Sequence, residues 1–234
     1  MHATIDQTHI AIRARNVTLS LGTTEILKGV DLDIAQGESL AILGASGSGK
    51  SSLMAILSGL ERASAGTVTV AGVDFGAMDE DDLARARRGR IGIILQSFHL
   101  LPSMTALENV AVPLELAGHE DAFARAGEEL AAVGLGHRLD HYPAQLSGGE
   151  QQRVAIARAM APEPAILFAD EPTGNLDAAT GAAIIDLLFA RQRAAGATLL
   201  IITHDPSLAQ MCDRIVEMRD GLIHTPHTAD GAPA

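Results

Sequence analysis

Gly44-Ala-Ser-Gly-Ser-Gly-Lys50-Ser51 fits the pattern G-x-x-x-x-G-K-[ST], and it follows Leu40-Ala-Ile-Leu43, an apolar run of the kind a buried strand requires. The chemistry of such a loop is phosphate binding. Gly44, Ala45, Ser46, Gly47, Ser48 and Gly49 are small enough for successive backbone N–H groups to close around a β-phosphate. Lys50 then reaches the β- and γ-phosphates, and Ser51, with Ser52 next to it at the start of a helix, offers a hydroxyl to Mg²⁺. Far downstream, Ala165-Ile-Leu-Phe-Ala169 reads as a second buried strand ending in Asp170-Glu171, where a P-loop enzyme needs acid. Asp170 would hold Mg²⁺ directly or through water, and Glu171 would polarise the attacking water as general base. Without a P-loop, the same two residues would read as an acidic cap or turn before Pro172. The two motifs together outweigh that reading.

Between them lies Leu146-Ser-Gly-Gly-Glu-Gln-Gln-Arg153, followed by a helical stretch with apolar Val154, Ile156, Ala157 and Met160. Ser147 offers a hydroxyl, Gly148 and Gly149 permit close backbone approach, and the N-terminus of the helix starting near Glu150 adds positive partial charge. This string resembles the signature of the ATP-binding-cassette (ABC) family, and the chain from about Ile10 to Ile223 is similar to the nucleotide-binding subunit of an ABC transporter. Other family elements match one by one. Gln96, after Ile91-Gly-Ile-Ile-Leu95, matches the glutamine that contacts Mg²⁺ or the lytic water. Asn175-Leu176-Asp177 matches the D-loop that crosses to a partner subunit, and His204, after Thr198-Leu-Leu-Ile-Ile-Thr203, matches the switch histidine near the γ-phosphate. Alone, a Gln or His at a strand end is an ordinary surface residue; the order and spacing of the whole set reverse that reading. One position departs from the pattern. Many members stack an aromatic ring on adenine where this chain has Leu21, so Leu21 supplies apolar contact only, about 1 kcal/mol less than a ring.

Within the family the chain resembles the small cassettes of the lipoprotein-release, macrolide-efflux and cell-division group, LolD, MacB and FtsE among them, and above all the YbbA-like proteins. The strings that carry this are Gln96-Ser-Phe-His-Leu-Leu-Pro102, Thr105-Ala-Leu-Glu-Asn-Val110, Leu139-Asp-His-Tyr-Pro-Ala-Gln145 and Phe168-Ala-Asp-Glu-Pro-Thr-Gly-Asn-Leu-Asp177. The resemblance implies a homodimer in which Ser147 and Gly149 of a second chain complete each ATP site. It also implies a separate integral-membrane permease with a large periplasmic domain, bound on the cytoplasmic face of the inner membrane through Phe98, Leu100, Leu101, Met104 and Leu107. Those five residues would equally suit packing of a helical lobe.

The elements that position these motifs follow from composition and periodicity. At 234 residues and 47% apolar, the chain can bury a substantial core as one catalytic unit. Its strands ending at Leu43, Leu95, Ala169 and Thr203 are apolar throughout, as in a covered parallel sheet, whereas Ile10 to Ala35 and Gly66 to Val73 suit a small antiparallel sheet. Helices are expected over Ser51 to Leu60 and Ala178 to Ala195. Residues 97–160 read as a helical lobe broken at Pro102, Pro113, Gly134-Leu-Gly136 and Pro143. The fold class is therefore α/β: a P-loop NTPase (RecA-like) core spanning 10–96 and 161–223, a small antiparallel β subdomain, and an inserted helical subdomain carrying the signature. The tail over 224–234 reads as disordered, with His224 and His227 too isolated for a metal.

Net charge is 17 minus 29, or −12, which argues against non-specific nucleic-acid binding and direct adhesion to anionic lipid; no nucleic-acid partner is expected. Arg85-Ala-Arg-Arg-Gly-Arg90 is basic but follows Asp79-Glu-Asp-Asp82, a pairing of solvated faces. No segment has the length and apolarity of a membrane span, and Met1-His-Ala-Thr-Ile-Asp-Gln lacks the organisation of a signal peptide. One cysteine, Cys212, suits a reducing compartment and the role of a small buried apolar residue. Three classes of function remain: an ATPase subunit driving a permease in export, extraction or force transmission; a soluble ABC ATPase acting on ribosomes or DNA; and a non-catalytic nucleotide sensor. A single cassette without a long heptad run disfavours the second, and intact Lys50, Asp170, Glu171 and His204 disfavour the third.

Overall fold

The computed structural model describes residues 10–224. The expected disordered tail lies outside them from residue 225 on, whereas His224, assigned to its start, ends a strand. In chain order the first elements are β1 (Ile10–Leu21), β2 (Thr24–Ala35), β3 (Ser39–Leu43), α1 (Lys50–Leu57), β4 (Ala65–Val70), β5 (Val73–Asp74), α2 (Glu80–Arg87) and β6 (Ile91–Ile94). Then come α3 (Ala106–Leu116), α4 (Ala122–Ala132), α5 (Gly148–Met160), β7 (Ile166–Asp170), α6 (Ala178–Ala195), β8 (Thr198–Thr203), α7 (Pro206–Ala209), β9 (Arg214–Arg219) and β10 (Leu222–His224). The described residues divide into two compact units, 10–84 with 198–224, and 85–197.

In the first unit, β2, β1, β4 and β5 form an antiparallel sheet in that order. Buried Val30, Leu32 and Ile34 alternate with Asp31 and Asp33 along β2, the pattern of a sheet with one dry and one wet face. Against that dry side packs α1. The remaining strands run in the order β10, β9, β3, β8, with β9, β3 and β8 parallel and β10 antiparallel to β9. Every residue of β8 and the first four of β3 are buried, as strands covered on both faces must be. Asp213 Oδ2 accepts from Ser39 N at 2.8 Å and Ser39 Oγ at 2.7 Å, which fixes the start of β9 beside the start of β3. Neither β9 nor β10 is among the expected strands, although Val216 and Met218 alternate as buried residues along β9.

In the second unit β6 and β7 are parallel, and α5 packs on β6 and on α3, α4 and α6. The expected break at Pro113 does not occur: α3 runs through it. Proline removes one N–H from the ladder, but Ala106, Asn109, Val110, Ala111 and Leu114 are buried on one face and outweigh that loss. The breaks at Gly134 to Gly136 and at Pro143, which starts a 3₁₀ turn, are present. α2 concentrates Glu80, Asp81 and Asp82 in its first turn and Arg85 and Arg87 in its last, complementing the helix dipole, with only Leu83 buried.

Thr105 caps α3 reciprocally: its N and Oγ1 donate to Glu108 at 2.7 and 3.0 Å, while Glu108 N donates to Thr105 Oγ1. The backbone bond from Thr105 first, and its hydroxyl second, hold the Glu108 carboxyl below the usual glutamate range. A depressed carboxylate stabilises the folded chain fully above its unfolded pKa and loses that stabilisation as pH falls through the folded value. Urea midpoints measured from about pH 5 down to about pH 3 should therefore fall less steeply in Glu108→Gln than in the parent chain.

Candidate functional site

The P-loop leaves β3 at Gly44 and enters α1 at Lys50, and its tightness has a steric cause. A Cβ at Gly44 would lie 2.3 Å from Met218 O and 2.8 Å from Ser48 Oγ, so only glycine fits beside β9. The loop is also tied at its far end, where Gly221 N donates to Ser48 O and Lys28 N to Gly221 O, both at 3.0 Å. Ala45, Ser46 and Gly47 are exposed, Ser48, Gly49 and Lys50 are buried, and Ser51 is exposed in the first turn of α1 with Ser52 half-buried behind it. Lys50 Nζ donates to Gly44 O and Ala45 O at 2.8 Å each, which holds the ammonium inside the loop's curve. Gly49, at φ 104°, caps α1 with no side-chain hydrogen bond, so the helix presents its first N–H groups and positive end to the loop. A cation, loop amides and a helix N-terminus converging on exposed space fit a polyphosphate. In the same unit, Leu43 pairs with Thr203 in the parallel register, so the P-loop and His204 leave neighbouring strands at the same end. His204 is exposed, and Asp205 N donates to Thr203 Oγ1 at 3.0 Å as the chain turns into α7. Leu21 ends β1 before the turn at Gly22 and is 59% exposed.

The second unit gathers the other motifs. Because Ile94 pairs with Ala169, Gln96 and Asp170-Glu171 leave β6 and β7 at the same end. A Cβ on Gly174 would meet Gln96 Nε2 at 2.6 Å, so the Gln96 side chain lies directly over this glycine. Asn175 Nδ2 donates to Gln96 O at 2.9 Å, joining the D-loop to the Gln96 segment. Glu171 is half-buried and has φ 45°, a left-handed conformation that costs a non-glycine residue about 1–3 kcal/mol. Asp177 caps α6, accepting from Thr180 N at 3.0 Å.

Ser147 is the N-cap of α5 in a second reciprocal box with Glu150, whose Oε2 accepts from Ser147 N at 2.8 Å and Ser147 Oγ at 3.0 Å. Glu150 Oε1 accepts from Arg138 Nε at 3.0 Å. The backbone bond from Ser147, aided by Arg138, keeps the Glu150 carboxyl below its ordinary range. Ser147, Gly149, Glu150, Arg153 and Thr180 line an open depression of about 260 Å³. Gly149 has a packing reason of its own, since a Cβ there would meet Thr180 Cγ2 at 2.6 Å.

Some residues that organise these segments are not among the candidate site residues. Asn109, fully buried, accepts from Leu101 N and donates to the carbonyls of Leu101, Met104 and Thr105, so it fixes the loop after Gln96. Arg158 donates to Phe98 O and His99 O, the two left-handed residues of that loop, at 2.8 and 2.6 Å. Gln152, also fully buried, donates to Pro172 O at 2.7 Å. In each case the available signal is a polar side chain in the apolar stripe of a helix. Leu101 is exposed, while Phe98, Leu100, Met104 and Leu107 are half-buried. Cys212 is half-buried rather than buried; burial first and Asp213 second push its thiol up to about 12, so it stays protonated.

A strand, a glycine loop closing on a lysine, and a helix N-terminus, set among parallel strands, define a P-loop NTPase fold. The chain belongs to the ABC transporter family: the profile described as "ABC transporter" matches residues 27–174. It is 52% identical over 200 residues to the ABC transporter ATP-binding protein YbbA of Escherichia coli K12, covering 85% of this chain and 88% of that one. It is 51% identical over 202 residues to the lipoprotein-releasing system ATP-binding protein LolD 2 of Caulobacter vibrioides, covering 86% and 89%. Among solved structures, the dimeric post-hydrolysis state of the ATP-binding cassette MJ0796, bound to ADP and Pi, superposes with a TM-score of 0.83. That match has 38% identity and covers 93% of this chain and 99% of that one. The chain is thus the ATP-binding ATPase of an ABC transporter, and the ribosome- or DNA-directed alternative is not favoured. Among the described residues no helix is long and apolar enough to cross a membrane.

Proposed function

We propose that two copies of this chain close around two ATP molecules with Mg²⁺ and that hydrolysis drives a separate membrane permease in export, extraction or force transmission. The observation that carries this reading is similarity along most of the chain to YbbA and LolD, joined to a P-loop that curves around the Lys50 ammonium and leaves Ala45 to Gly47 exposed. Lys50 and the amides of residues 44–52 hold the β- and γ-phosphates, and Leu21 touches the base without stacking, so the triphosphate dominates recognition and base selectivity is weak. The Ser51 hydroxyl, the Gln96 amide oxygen and the Asp170 carboxylate are hard oxygen donors of the kind Mg²⁺ takes. A Mg²⁺ ion held by such donors would supply charge neutralisation to the phosphates. Glu171 accepts the proton of the attacking water, Gln96 orients that water, and His204 donates to a γ-phosphate oxygen. From the second copy, Ser147, Gly148 and Gly149 meet the same γ-phosphate with a hydroxyl and the N-terminus of α5.

The permease binds through Phe98, Leu100, Leu101, Met104 and Leu107, carries a large periplasmic domain, and holds this chain on the cytoplasmic face of the inner membrane. None of these five residues is fully buried, which leaves apolar surface for a partner. The test is to purify affinity-tagged Glu171→Gln with ATP from its native membrane in detergent and identify bound proteins by mass spectrometry. Stoichiometric recovery of an integral-membrane protein with a large extracytoplasmic domain is expected. Recovery of ribosomal or other soluble partners alone would overturn the permease assignment.

A further inference from the structure

Gln152 lies in the apolar stripe of the signature helix, one turn before buried Ile156, and it is fully buried itself. Its Nε2 donates to Pro172 O at 2.7 Å, while its Oε1 has no hydrogen-bond partner among the described residues. The amide orientation follows from chemistry, since a carbonyl can only accept. A buried polar side chain left half-satisfied is costly, and leucine would fill the same stripe more cheaply. The bond to Pro172 O joins α5 to the segment that follows Glu171. Pro172 directly follows Glu171, the half-buried residue in the left-handed conformation at φ 45°. Glu171 O accepts from Gly174 N at 3.0 Å, closing a turn, and the Gln96 side chain packs over Gly174. The turn is thus held from within by its own backbone and from α5 by Gln152.

We propose that Gln152 is a positioning residue for Glu171: its hydrogen bond to Pro172 O pins the strained backbone that aims the carboxylate. Because α5 begins at Ser147, the same helix that offers its N-terminus to one phosphate site also braces the base of another. Gln152 makes no contact with nucleotide in this role and acts through Glu171. The proposal rests on the assignment of Glu171 as general base.

The test is a double-mutant cycle in ATP hydrolysis. Gln152→Met keeps volume and removes the donor. With one buried hydrogen bond at stake, kcat should fall about tenfold while KM for ATP changes less than about twofold. Gln152→Asn, whose amide is one methylene short, should give the same split. In a Glu171→Gln background, Gln152→Met should change the residual single-turnover rate less than about twofold, because its route of action is already gone. An equal loss in both backgrounds, an effect confined to KM, or failure of both Gln152 variants to fold would assign Gln152 to packing and overturn the proposal. If Glu171→Gln by itself leaves turnover intact, the general-base assignment fails instead, which is a separate result.

Discussion

Glu171→Gln should lower the turnover of ATP by about 10² to 10⁴ while ATP still binds, because it removes a proton acceptor and keeps the shape of the side chain. The expectation follows from where Glu171 sits. The apolar strand β7 is buried from Ile166 to Ala169 and delivers Asp170 and Glu171 at its end, and the backbone then flips to φ 45° at Glu171. In the proposed mechanism Asp170 serves the metal and Glu171 the water. In the proposed mechanism nucleotide binding rests on the P-loop amides and Lys50, which this substitution leaves alone. Steady-state phosphate release together with a fluorescent-nucleotide titration separates the two effects; a variant with parent-like turnover would remove Glu171 from the mechanism.

Lys50→Met should be as damaging but by another route, with losses in both binding and turnover. The ammonium is buried in the curve of the loop on two carbonyls, close to where phosphate oxygens would displace those bonds. Losing charged hydrogen bonds costs binding roughly 1.5–3 kcal/mol, or about ten- to a hundredfold in Kd. Removing a donor aimed at charge that grows in the transition state costs about 10² to 10³ in kcat. The combination distinguishes Lys50 from Glu171: Kd for ATP rises in Lys50→Met and stays near the parent value in Glu171→Gln.

Legibility in the sequence followed the range of the interactions. The P-loop, the acidic end of β7 and helix α6 over Ala178–Ala195 were readable because each is specified by adjacent residues: small residues before a lysine, an apolar run before a carboxylate, a helical period after the cap Asp177. Boundaries set by local backbone strain were less so. The first helix was expected to reach Leu60 but stops at Leu57, where Ser58 caps it and Gly59 turns at φ 72°. Pro113 looked like a break because its missing N–H is visible in sequence, whereas the buried face that holds α3 together depends on α4 and α5. The organising roles of Asn109, Gln152 and Arg158 are not legible for the same reason. Their partners, carbonyls at Leu101, Pro172 and Phe98, lie in loops whose course no local pattern specifies.

The most direct test of the account is the mass of the Glu171→Gln protein in solution, with and without ATP and Mg²⁺, by light scattering with the bound nucleotide counted. The proposed mechanism requires the chain's mass without nucleotide to double with ATP, and the doubled species to hold one ATP per chain. A protein that binds ATP at that ratio yet stays a monomer would contradict the composite site, because the signature at Ser147 to Gly149 would then have no second copy to meet.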